Sequence, residues 1–239
     1  MKVALCLYGQ PRHLQQGYQS IKKHILDVYK PDVFYHTWDS KDNYQVSPWR
    51  KNICTLPLKD IRDVEELYKP TRYAIEIPKT FDVDKTTPGF LMTPFYQHNN
   101  VNNVASQIHS RQIVRNLLEN YVIETKTNYD LVIMTRFDIN IESLPEPKKD
   151  KIYFTSDYPE RPYFFNDNLF MSNYTAFLQV FDIEPNLTRY MTVGIMNPLD
   201  EGKLTFVHYN TEELIVGSLM DHDLLKICEK RSDMKISLL

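Results

Sequence analysis

The chain has 239 residues, 42% hydrophobic and 25% charged, with a formal net charge of -3. That composition suits one soluble globular domain with a sizeable core. It excludes the basic footprint of a nucleic-acid-binding protein. No run approaches the roughly 20 apolar residues of a membrane span. The opening MKVALCLYGQPRH lacks the long apolar core and small-residue cleavage site of a signal peptide. Cys6, Cys54 and Cys228 are scattered, with no CxxC or Cys/His cluster of the kind that holds zinc. The expected compartment is therefore reduced and cytoplasmic. None of the six glycines builds a GxGxxG or GxxxxGK[ST] phosphate loop. The 16 tyrosines and 12 phenylalanines read mainly as core.

In chain order, Lys2 to Tyr8 reads as a strand closed by the turn Gly9-Gln10-Pro11-Arg12. Tyr18, Ile21, Ile25, Val28 and Tyr29 recur at helical spacing within 16–29, and Lys30-Pro31 stops that helix. DVFYHTW, 32–38, is a second strand. A loop over 39–57, a charged helix over 58–68, a strand over 73–77 and a Pro/Thr/Gly-rich loop over 81–94 follow. Asn102 or Asn103 is placed to cap a long helix reaching about Glu124. A buried strand follows at 130–135. Alternation of strands and helices predicts an α/β fold with a mainly parallel central sheet flanked by helices and joined by right-handed crossovers. Past Asp138 the pattern shifts to short strands at 152–155 and 169–172, a short helix at 174–181 and a helix opening at Thr211-Glu212-Glu213. The tail ICEKRSDMKISLL is ambiguous. The reading is one domain, 1–239, with a Rossmann-like nucleotide-binding half (1–141) and an acceptor-facing half (142–239).

The segment YDLVIMTRFDINI concentrates the chemistry. Ligands of open α/β sheets sit outside the carboxyl ends of the strands. Arg136 and Asp138 share a face there, while Phe137 points the other way into the core. A carboxylate at that position suits Mn²⁺ or Mg²⁺ held jointly with a diphosphate. Arg136 then either pairs with phosphate or sugar, or orients Asp138. At the first strand's exit, Gly9 allows close backbone approach and Arg12 offers a fork to a diphosphate, beside Gln10. On the long helix, Arg111 falls on the stripe of Val104, Ile108, Val114, Leu118 and Tyr121, with Gln107 one turn before it. A cation on a core-facing stripe must be paired or reach a polar cleft.

These segments, together with KVALCLYGQPRHL, DVFYHTW and NDNLFMSN, resemble the GT-A glycosyltransferases. Within that group the resemblance is to small sugar transferases of large algal viruses and of bacterial capsule and lipopolysaccharide gene sets. For a viral member the compartment would be the host cytoplasm. The hallmark of the GT-A group is a D-x-D at the end of an apolar strand, binding a divalent metal and the diphosphate of a nucleotide-sugar. Asp138 matches its second acid, and Arg136 stands where the first would be. The resemblance implies a single GT-A-like domain, a nucleotide-sugar donor (UDP-linked) and a glycan acceptor. It places Gly9, Arg12, Gln107 and Arg111 on the donor side.

An inverting mechanism also needs a base for the acceptor hydroxyl. Asp167, after the aromatic run Tyr163-Phe164-Phe165, is the first candidate, with an Asx turn over 166–168 as the plainer alternative. Glu212 is the second, and its plainer role is to favour a helix N-terminus. His208 is a candidate late metal ligand. His36 and His109 read as structural histidines, and Asp39 as a possible contact to base or ribose. Two other functions fit the same residues. One is a nucleotidyltransferase or nucleotide-sugar hydrolase. The other is a non-catalytic nucleotide- or glycan-binding module.

Overall fold

VALCLY has no polar residue to expose, so its strand needs cover on both faces, as parallel strands do. In the computed structural model this strand, β1 (Val3–Tyr8), is buried along its whole length. The structure describes residues 1–39, 61–84, 86–87, 101–155, 166–192, 195–196, 204–205, 211–231 and 233–239. The expected loops over 39–57 and 81–94 lie largely outside these residues. So do His208 and Tyr163 to Phe165.

After β1 come α1 (Leu14–Ile21), a π-helical turn (Lys22–Leu26), α2 (Asp27–Tyr29), β2 (Asp32–Trp38), α3 (Arg62–Tyr68) and β3 (Arg72–Glu76). Then follow α4 (Val101–Thr125), β4 (Leu131–Arg136), β5 (Ile139–Ser143), β6 (Ile152–Thr155), β7 (Asn166–Ser172), α5 (Tyr174–Val180) and α6 (Leu187–Thr192). A two-residue ribbon of β8 (Ile195–Met196) and β9 (Leu204–Thr205), α7 (Thr211–Asp221), β10 (Cys228–Lys230) and β11 (Lys235–Leu238) complete the chain.

The expected α/β architecture is present. Among the described residues one seven-stranded sheet runs in the order β10-β6-β7-β4-β1-β2-β3. The four strands β4, β1, β2 and β3 are mutually parallel. β7 then runs antiparallel to both β4 and β6. This reversal brings the start of β7 to the same edge of the sheet as the end of β4. Strand alternation sorts β1 into two cores. Ala4, Cys6 and Tyr8 join residues of α4, α5 and α7 on one face, while Val3, Leu5 and Leu7 join α1 and α3 on the other. Cys6 is fully buried as the small hydrophobe its neighbours implied. No helix among the described residues is long and apolar enough to cross a membrane.

Two local expectations are corrected. Val28 is 61% exposed although Ile21 and Ile25 are fully buried. The intervening π turn winds more residues per turn and rotates Val28 out of the apolar stripe. The long helix begins at Val101, so neither asparagine caps it. Asn102 instead accepts from the Phe81 backbone N–H at 2.9 Å. The residues after Asp138 form β5, which pairs antiparallel with the ambiguous tail as β11. The Leu239 N–H donates to the Asp138 carbonyl at 3.1 Å, so this ribbon braces the turn that carries Asp138.

Gly17 on α1 is a further support of that turn. A Cβ built there would lie 1.8 Å from the Phe137 carbonyl oxygen, so only glycine lets the helix approach so closely. Gly17→Ala is expected to lower stability by about 1–3 kcal/mol, the usual scale of overpacking. Urea denaturation checks this, and an unchanged midpoint would mean that α1 shifts without cost.

Candidate functional site at the carboxyl ends of the strands

The exit of β1 is shaped by Gly9, whose φ of 92° lies in the left-handed region that glycine adopts without strain. Among the described residues nothing lies within 4 Å of a Cβ built at Gly9, which leaves room for a ligand before this turn. The Gly9 N–H donates to Ser110 Oγ at 3.0 Å, fixing the turn to α4. Gln10 accepts both Nε and Nη2 of Arg12 on its Oε1, at 3.0 and 2.8 Å. Gln10 thus holds the Arg12 guanidinium in place.

Tyr8 of β1 and Arg136 of β4 are register partners on neighbouring strands. Arg136 donates from Nε to Asp138 Oδ1 at 2.7 Å and from Nη2 to Oδ2 at 2.8 Å. Asp138 is 3% exposed. Burial pushes its pKa up, but Arg136, and then Arg12, outweigh it and hold the carboxyl below its ordinary value. Phe137 turns the other way, fully buried against Tyr35 and Tyr68. Of the two parts open to Arg136, the geometry shows the pairing with Asp138. That pairing competes with any cation for the Asp138 carboxylate. Both its oxygens already accept from a guanidinium. With Nε and one Nη2 proton so engaged, the Nη1 protons and the second Nη2 proton of Arg136 are left to meet an anion.

A second buried centre lies beside the first. Arg111 comes from the middle of α4, Asp167 from the start of β7 and Thr211 from the first turn of α7. The Arg111 Nη2 donates to Asp167 Oδ2 at 2.5 Å and to the Tyr8 hydroxyl at 2.7 Å. Its guanidinium also stacks on the Tyr8 ring, 4.5 Å from the centroid. The Tyr8 hydroxyl in turn donates to the Asp167 backbone carbonyl at 2.9 Å. Thr211 Oγ1 donates to Asp167 Oδ2 at 2.6 Å. Burial would raise the Asp167 pKa, but Arg111, the Thr211 hydroxyl and Arg136 together hold it below the ordinary value. Arg111, expected to reach a diphosphate, is thus paired with the residue expected to be the base. Nε and Nη1 of Arg111 are buried and have no hydrogen-bond partner among the described residues. Gln107 is half-buried one turn before it. The Asx turn here belongs to Asn166, whose Oδ1 accepts from the Asn168 N–H at 2.9 Å.

Glu212 lies next in this chain of contacts. Its Oε2 is 3.2 Å from Thr211 Oγ1. One hydroxyl proton serves one acceptor at a time, and Asp167 is the closer. Burial, then repulsion from Asp167, pushes the Glu212 pKa up to about 7. A protonated Glu212 completes the line Glu212, Thr211, Asp167, Arg111 without leaving a buried charge unpaired. Two carboxyls held at different pKa values by their surroundings are the pattern of an acid/base site.

One further cluster was not anticipated. His36 on β2, Glu76 at the end of β3 and His109 on α4 converge at the same edge of the sheet. His36 Nδ1 lies 2.6 Å from Ser110 Oγ. His109 Nδ1 lies 2.7 Å from Glu184 Oε1, and its Nε2 lies 3.0 Å from Glu76 Oε2. Burial pushes the His36 pKa down to about 4, which keeps its ring neutral. The three residues stand far apart in the chain, on two strands and a helix, so no local spacing announces them. Tyr8 and Thr211 were missed for another reason. A buried tyrosine and a helix-opening threonine have ordinary structural roles, and only their shared contact with Asp167 singles them out.

In comparison with known proteins, the chain matches no protein-family model and no curated protein.

Proposed function

We propose that the chain is a glycosyltransferase that moves a sugar from a nucleoside-diphosphate donor, UDP-linked, to a hydroxyl of a glycan. One observation carries this reading. A cation with a spare donor and an open glycine turn stand at the carboxyl ends of β4 and β1, and the same edge of the sheet holds a half-buried carboxyl poised near neutral pH. The diphosphate lies against Gly9, Arg12 and Arg136. As the bond from the anomeric carbon to the diphosphate oxygen breaks, the two guanidiniums stabilise the charge that gathers there. Glu212 takes the proton of the attacking acceptor hydroxyl. Asp167, held by Arg111, is a positioning residue that keeps Glu212 poised through charge repulsion. Both oxygens of Asp138 already accept from Arg136, so no step is assigned to a Mn²⁺ or Mg²⁺ ion there.

A second reading, a non-catalytic nucleotide- or glycan-binding module, is favoured by the pairing of Asp138 and Asp167 with arginines. Product analysis separates the readings. A thermal-shift panel of nucleotide-sugars is expected to show one that stabilises the protein, by about 2.7 kcal/mol at a hundredfold excess over Kd. That stabilisation is expected to persist in EDTA. Incubation with the same donor and glycan acceptors is expected to release nucleoside diphosphate only when an acceptor is present. Release of free sugar without acceptor would mean a hydrolase, and pyrophosphate a nucleotidyltransferase. Binding with no turnover would mean the binding module. No binding by any common nucleoside diphosphate would overturn the proposal.

A further inference from the structure

His36, Glu76 and His109 sit beside the proposed donor site, and the function above uses none of them. Their ligating atoms form a small triangle. His109 Nε2 is 3.0 Å from Glu76 Oε2, His36 Nε2 is 3.8 Å from it, and all three atoms lie within 4.8 Å of one another. In a tetrahedral zinc site, bonds of about 2.0–2.1 Å place neighbouring ligand atoms roughly 3.3 Å apart. Both contacts to Glu76 bracket that value.

The other face of each ring is held as metal-bound imidazoles are held. His109 Nδ1 lies 2.7 Å from Glu184 Oε1, which would accept its N–H in the tautomer that ligates through Nε2. Ser110 Oγ already accepts from the Gly9 N–H and has a second lone pair for a proton on His36 Nδ1. In those tautomers both Nε2 lone pairs are directed at the Glu76 carboxylate. A carboxylate or hydroxyl on the far nitrogen is the outer support that fixes ring orientation in metal sites. His36 Nε2 supplies an independent sign. It is fully buried, and it has no hydrogen-bond partner among the described residues. An uncompensated buried nitrogen of this kind is costly, and a metal ion would satisfy it.

We propose that His36, Glu76 and His109 bind a divalent transition-metal ion of the zinc class. Two imidazoles and one carboxylate suit zinc or cobalt, whereas magnesium prefers oxygen ligands alone. Charge favours the same ion. With neutral rings, Glu76 and Glu184 together balance a dication. Lys79 now takes the place of a cation, with its Nζ 3.1 Å from both Glu76 Oε2 and His109 Nε2. Its side chain is 46% exposed and can swing into solvent when the ion arrives. Trp38 and Phe81 pack against His109 and wall the site with apolar surface. Three protein ligands leave a fourth position for water, the arrangement of an exchangeable rather than a closed structural site.

The test is titration of chelator-stripped full-length protein with zinc chloride, read by calorimetry, and with cobalt chloride, read by visible absorption. The folded protein is expected to bind a single equivalent of either ion, with intense tetrahedral cobalt bands, and to ignore magnesium. Glu76→Gln and His109→Gln are expected to lose the site. Glu184→Gln removes only the outer support, and should weaken binding by about 10–100-fold. Lys79→Met removes the competing ammonium and should tighten binding. This gain guards against variants that lose metal merely by unfolding, and metal-free melting curves of every variant check their fold. No binding by the folded wild type would overturn the proposal. Equal binding by wild type, Glu76→Gln and Lys79→Met would also overturn it, since the ion would then sit elsewhere. Neither outcome bears on the glycosyltransferase reading, whose donor contacts lie at Gly9, Arg12 and Arg136.

Discussion

Glu212→Gln is expected to lower turnover by roughly 10²–10⁴-fold, the range for loss of a general base. Donor binding should survive, since the diphosphate is held by other residues. The pH dependence is the sharper signature. A base must be deprotonated, so the wild-type rate should rise with pH through about 7, where burial and Asp167 place this carboxyl. The glutamine variant should lose that rise. Stability should move the opposite way. Glu212 has a folded pKa raised above its unfolded value of about 4.3. Its contribution is therefore full below that value and is lost as pH rises through the folded pKa. Glutamine stays neutral throughout, so above neutral pH the variant should be at least as stable as wild type. Activity lost together with stability would identify Glu212 as a structural residue. Near-normal turnover would remove it from the mechanism.

Arg111→Met is expected to cost about 3–5 kcal/mol of stability at neutral pH, the scale for breaking one side of a buried ion pair. Methionine fills the space but leaves the Asp167 carboxylate buried beside Glu212 without its cation. In the wild type the lowered Asp167 pKa adds stability above its unfolded value of about 3.9, lost as pH falls through the folded pKa. In the variant the Asp167 pKa should rise instead. The deficit should then shrink as pH falls toward about 4, because a protonated carboxyl tolerates burial. Adding Asp167→Leu should recover most of the loss, since an apolar pair can replace a buried ion pair. Urea denaturation of the two single variants and the double variant forms the cycle that checks this. If Arg111→Met proved harmless to folding and weakened only donor binding, the arginine would belong to the donor site.

These variants test contacts that were legible in the sequence to different depths. Arg111 was conspicuous because a cation interrupts an apolar helical stripe, which requires a polar destination. The stripe could not say whether that destination was a ligand or Asp167, because the answer depends on β7 reversing beside β4. The same holds for Asp138. Its exit from the run LVIM marked the ligand edge of the sheet. Only the side-chain geometry showed both its oxygens taken by Arg136, two residues away in sequence but on the same face of the strand.

Local composition determined the strands β1, β2 and β4, since runs such as VALCLY and LVIM can be buried on both faces in few other ways. It also determined the parallel character of that half, through alternation with amphipathic helices. What the tertiary structure alone decided lies where the energy comes from partners distant in the chain. The tail became β11 because β5 offered it an unpaired edge and an apolar match at Ile141 and Ile139. Glu212 became an acid poised near neutrality because the fold takes its carboxyl out of water and then sets Asp167, 45 positions earlier, near enough to repel its charge. His36, Glu76 and His109 met because β2, β3 and α4 end or cross at one edge of the sheet. A residue's sequence neighbours set its local conformation. Its charge state and ligands are set by what the fold brings within a few ångströms, where desolvation and Coulomb energies are largest.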